Sequence, residues 1–121
     1  MVLLALETCF GAVSAAVQWT DGSGTAHVRA AYEEMDIGHA ERLMPMIRDV
    51  MADAQLGFAD LTALAVTVGP GGFTGLRVGV SAARGLALAA DVPVFGTTSL
   101  AVIARRAIGE LGAVPRDHGL A

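Results

Sequence analysis

Of 121 residues, 54% are hydrophobic and 17% charged, below the about 25% charge of an ordinary soluble domain, and the mean hydropathy is +0.57. A formal net charge of −4, with scattered arginines and no lysine, excludes the clustered basic stripe that direct nucleic-acid binding requires. No run reaches the about 18 apolar residues of a membrane span, and the single Cys9 excludes a disulfide scaffold, so one domain in a reducing, cytoplasmic compartment is expected, its apolar excess covered by a long-lived partner.

Val2 to Glu7 and Val13 to Trp19 are short apolar runs that read as strands. Asp21-Gly22-Ser23-Gly24 has the composition of a tight turn, and Thr25 to Ala31 reads as the return strand. Leu43, Ile47, Val50 and Ala54 then recur at helical spacing, with Met44 and Met51 widening the stripe. Pro45 is expected in the first turn of that helix or at a bend, and Gly57 at its end. Ala63 to Val68 reads as a strand covered on both faces, Thr74 to Ala90 as a second helix, Val94 to Thr97 as another buried strand, and Ser99 to Gly109 as a third helix capped by Ser99. The predicted order is βββαβαβα, followed by a linker or frayed tail near the C-terminus.

The loop Gly69-Pro70-Gly71-Gly72-Phe73-Thr74-Gly75 lies between a strand and a helix, where backbone N–H groups can hold phosphate. It matches neither phosphate template: Leu76-Arg77 stand where a P-loop has Lys and Ser/Thr, and Thr74 stands where the dinucleotide fingerprint has its third glycine. A turn of forced backbone geometry is the alternative. Within and beyond the loop Gly75, Gly79, Ala83 and Ala87 fall four apart and line one edge of helix two with small side chains. Such an edge serves close packing on the chain's own sheet or contact with another helix, and the sequence leaves both open. His27, His39 and His118 form no ligand pair, so no metal site is expected. Cys9 reads either as a thiol paired with His39 or as a small core residue. His39 reads as the start of helix one, with Glu41 placed well against the helix dipole.

His39-Ala40-Glu41-Arg42-Leu43-Met44-Pro45 and the stretch from Val68 through Gly75-Leu76-Arg77-Val78-Gly79, continued by Gly85-Leu86-Ala87 and Val92-Pro93-Val94, resemble the TsaB (YeaZ) family of bacterial threonylcarbamoyladenosine synthesis on tRNA. The resemblance runs from Met1 to about Ala107. It implies an α/β fold, an actin-like (RNase H-like) lobe with a mixed sheet, over residues 1–110, with 111–121 as linker or tail and the family's second, smaller lobe missing. It also implies a non-catalytic partner of TsaD, the enzyme that modifies adenosine 37, with the ATPase TsaE in the complex, tRNA met only indirectly, and a homodimer when TsaD is absent. No catalytic residue, cofactor or metal is expected.

Two departures bear on this. Ser99-Leu100-Ala101-Val102-Ile103 stands where TsaD-type sequences carry a metal-binding His-x-Glu-Gly-His, and Leu6-Glu7-Thr8-Cys9 stands where ATPase relatives place Asp-Thr. The family's contact surface is formed by helices one and two. Here that implies Leu43, Met44, Ile47 and Met51 from the first helix, and Gly75, Leu76, Gly79, Val80, Ala83 and Ala87 from the second. The runner-up reading is a fragment of a sugar-kinase-like or metallopeptidase-like ATPase of the same superfamily.

Overall fold

The computed structural model describes residues 1–9, 11–70 and 73–98. The third helix, the Ser99 to Ile103 stretch and the C-terminal tail lie outside the described residues. Strand β1 (Val2–Glu7) starts the chain, followed by β2 (Ala12–Thr20), β3 (Ala26–Glu34), helix α1 (His39–Asp53), a short 3-10 turn (Phe58–Asp60), β4 (Ala63–Thr67), helix α2 (Phe73–Ala90) and β5 (Val94–Thr97). The sheet order is β3-β2-β1-β4-β5, with β2 antiparallel to both of its neighbours and β1, β4 and β5 parallel. This is the mixed sheet expected from the sequence.

Alternation within each strand decides which face meets the helices. Val17, Leu4 and Leu64 stand side by side across three strands, as do Ala15, Leu6 and Val66 in the next row. These six are buried with Leu43, Met46, Ile47, Val50 and Met51 of α1 and with Ala83 and Ala87 of α2 in one core. Both helices therefore cover the same face. The opposite face carries the row Ala30, Ala16, Ala5, Ala65 and Phe95, built mostly of alanine.

The turns show how local sequence fixes the ends of these elements. Asp21 N–H donates to the Thr25 carbonyl (2.9 Å), and the Asp21 carboxylate accepts from the backbone N–H groups of Ser23 and Thr25 and from the Ser23 hydroxyl. Gly24 takes the positive φ the turn needs. Helix α1 does not run on to Gly57. Gln55 adopts the left-handed conformation, Leu56 N–H donates to the Met51 carbonyl and Gln55 N–H to that of Ala52, which is a Schellman ending without glycine. Asp91 and Val92 end α2 in the same way. Pro45 lies in the second turn of α1 rather than the first, because the helix already begins at His39. β5 is not buried: Val94 and Phe95 are exposed, since β5 closes the described sheet at one edge.

Candidate partner surface

The small-residue edge of α2 is aimed at the chain's own sheet. The Thr8 hydroxyl, buried where β1 ends, donates to the Gly75 carbonyl. A methyl group added at Gly75 would strike the Thr8 backbone oxygen, and one at Gly79 would strike Thr8 Oγ1, so α2 crosses the end of β1 at a distance that only glycine permits. Ala83 and Ala87 continue the same edge into the core, Ala83 with 0% exposure. The ridge Gly75, Gly79, Ala83 and Ala87 is thus an intramolecular packing device, and the expectation that it faces a partner is corrected.

Helix α1 requires the same correction at three positions. Leu43, Ile47 and Met51 form its core stripe with Met46 and Val50, packed on β2 and α2. An amphipathic helix has one apolar stripe, and the sheet covers it first. Of the ten interface residues expected from the sequence, Met44, Leu76 and Val80 keep part of their surface exposed. Leu76 turns toward the loop at Gly69, and Met44 and Val80 lean on the core.

Between the outward edges of the two helices runs an open groove of about 460 Å³. Ala40 and Met44 form one wall, Arg77, Val78, Ser81 and Ala82 the other, and Leu43 lies at the floor. Sequence reasoning missed Ala40, Arg77, Val78, Ser81 and Ala82. The signal was present, since Val78 and Ala82 precede Gly79 and Ala83 by one residue, hence by about 100° around the helix. Once the glycine edge is turned inward, that neighbouring row has to emerge between the helices.

The polar groups near the end of β1 are engaged locally. Glu7 Oε1 accepts from the Cys9 backbone N–H (2.8 Å), closing its own turn. Cys9 is buried with Sγ 3.3 Å from Thr67 Oγ1, which makes it a core residue facing β4. His39 opens α1 behind Gly38, a left-handed N-cap without a side-chain cap, and lines a second cavity of about 590 Å³ with Asp36, Glu41, Thr8 and Gly75. Among the described residues, no three His, Cys, Asp or Glu side chains gather as metal ligands, and no helix is long and apolar enough to cross a membrane.

Comparison with known proteins places this architecture. The family model described as "TsaD: tRNA N6-adenosine threonylcarbamoyltransferase" matches residues 33–115. The tRNA threonylcarbamoyladenosine biosynthesis protein TsaB of Escherichia coli is 38% identical over 113 residues, covering 93% of this chain and 47% of that protein. The solved structure of YeaZ from Pseudomonas aeruginosa superimposes with a TM-score of 0.82 at 38% identity, covering 93% of this chain and 52% of that one. RuvC of Thermus thermophilus, at 17% identity and a TM-score of 0.55 over 99% of this chain and 87% of its own, shares the fold, which is the RNase H-like, actin-like lobe. The chain spans about half the length of the TsaB and YeaZ relatives it matches. Its sequence and fold together make it a member of the TsaD family, on the TsaB (YeaZ) side of it.

Proposed function

We propose that this chain acts in tRNA N6-threonylcarbamoyladenosine biosynthesis as a non-catalytic scaffold that docks on TsaD, with TsaE joining through the complex and tRNA met only through its partners. The observation that carries this reading is the similarity to E. coli TsaB across 93% of the chain. The groove between α1 and α2 supports it physically. Met44, Val78 and Ala82 offer half-buried apolar surface, and the more exposed Arg77 and Ser81 line the same groove, a pairing of apolar patch and polar surround common at protein interfaces. A second copy takes the same face when TsaD is absent. The site of action is the cytoplasm, where tRNA is modified.

The test is capture of TsaD by this chain and by the double variant Ala40→Glu/Ser81→Glu. Both positions are exposed, and a glutamate at 40 lies in the first turn of α1, where the helix dipole favours it. The expected result is capture by the parent chain, at least tenfold weaker capture by the variant, and unchanged melting. Absence of capture by the parent would remove the scaffold reading, and undiminished capture by the variant would move the contact off the groove. Because the family model describes an enzyme, a second reading is catalytic, a fragment of a sugar-kinase-like or metallopeptidase-like ATPase of the same superfamily. Metal-dependent ATP turnover by the isolated chain would select it.

A further inference from the structure

Among the described residues β3 is the outer strand of the sheet, nine residues paired to β2 in unbroken register from Ala26 to Glu34. Its free side can be identified from two hydrogen bonds. Met35 N–H donates to the Gly11 carbonyl and Asp21 N–H to that of Thr25, each at 2.9 Å, so the bonded pairs with β2 fall on odd-numbered residues of β3. The N–H and C=O groups of Ala26, Val28, Ala30, Tyr32 and Glu34 therefore point away from the sheet. Of the devices that usually guard such an edge, proline, lysine and a bulge are missing, and charge remains only at Arg29, Glu33 and Glu34. Val28 and Tyr32 are 52% and 65% exposed. One outward carbonyl, that of Val28, is covered by the chain's own Arg29, whose Nη1 donates to it at 3.1 Å.

We propose that β3 pairs antiparallel with β3 of a second copy about a two-fold axis at Ala30, joining the two sheets edge to edge. The strand edge is self-complementary in this register. Ala30 meets its own mate, Val28 stands opposite Tyr32 and Ala26 opposite Glu34, so all five outward residues are used and the two exposed apolar side chains cover each other twice. On the helix-bearing face His27 stands opposite Glu33, with Arg29 on the diagonal, and no like charges oppose. Glu33 already holds Arg42 of its own chain at 2.8 Å, so it would lie between cations of both copies. An axis at Ala31 would place Val28 against Glu34 and leave Ala26 unpaired. The pairing leaves the groove between α1 and α2 open, so it does not depend on the role proposed for that groove.

The experiment is sedimentation velocity on the 121-residue chain carrying Ala40→Glu/Ser81→Glu, which closes the helical groove and isolates the strand edge. A concentration-dependent dimer is expected. Adding Ala30→Pro removes an outward donor and leaves the ladder to β2 intact, and the dimer should be lost. Val28→Lys should weaken association by about tenfold, the scale of two lost cross-strand pairs, and decides alone if the proline variant does not fold. Ala30→Cys should cross-link through a short bismaleimide. Ala26→Cys should not, because its mate lies eight residues along the partner strand, about 27 Å away. A groove-blocked chain that stays monomeric, a dimer indifferent to both edge substitutions, or equal cross-linking at 26 and 30 would overturn the proposal.

Discussion

Thr8 occupies the point where β1 runs out beneath α2, and its backbone oxygen and hydroxyl leave no room for a side chain at Gly75 or Gly79. Gly75→Ala meets backbone, which cannot turn aside, and should cost on the order of 3 kcal/mol in urea unfolding; a loss under about 0.5 kcal/mol would contradict the contact. Gly79→Ala meets the Thr8 side chain instead. Combined with Thr8→Ala it should be less harmful than the two single effects added, with a coupling of about 0.5–3 kcal/mol. At the far end of the sheet Asp21 accepts from the Ser23 hydroxyl, from His27 (2.7 Å) and from the Thr25 and Ser23 backbone N–H groups. These bonds hold its carboxyl well below the ordinary value of 3.8. The folded state thus favours the ionised form, so the contribution of Asp21 is complete above pH 3.8 and fades as pH falls beneath it. Asp21→Asn should flatten that part of the acid-unfolding profile, read as melting temperature between pH 6 and pH 2.5; an unchanged profile would show that the turn carries no pH-dependent stability.

Helix α2 was legible as a helix from its start to Ala90, and its small-residue edge was legible as a row. Which way the row faced was not, because a ridge of glycine and alanine fits a strand end and a neighbouring helix equally well. The buried Thr8 hydroxyl, sixty-seven residues away in sequence, settles it. Ala83→Glu separates the two orientations. With Ala83 fully buried, a glutamate there places an unpaired carboxylate in the core and should unfold the chain rather than merely block association. Circular dichroism would show this, and a folded variant with wild-type melting would restore the partner-facing assignment. The helix ends illustrate a different limit. Gly57 was the expected stop of α1, yet Gln55 and Asp91 close the two helices in the left-handed region, where the Schellman hydrogen bonds compensate residues that rarely adopt it. Composition alone does not register that compensation.

At the scale of the whole molecule, one core joins both helices to a single face of the sheet, and Ile47 sits at its centre with 0% exposure. Ile47→Ala should cost about 2–5 kcal/mol, a large share of the about 5–15 kcal/mol that holds a domain together. Urea unfolding should show the shift in midpoint with the slope preserved, and a loss below 1 kcal/mol would mean the core relaxes around the cavity. The sequence by itself determined the succession of strands and helices as far as β5, the alternation that sorts each strand into two faces, and the loop and helix motifs that resemble TsaB, since these depend on residues close together along the chain. Only the tertiary structure decided that the stripe of α1 and the glycine edge of α2 are covered by the chain's own sheet, that the groove opens along Met44, Val78 and Ala82, and that β3 is the outer strand among the described residues. Those outcomes depend on which elements meet, and the competition between inner and outer partners for the same apolar surface is resolved only when the layers close.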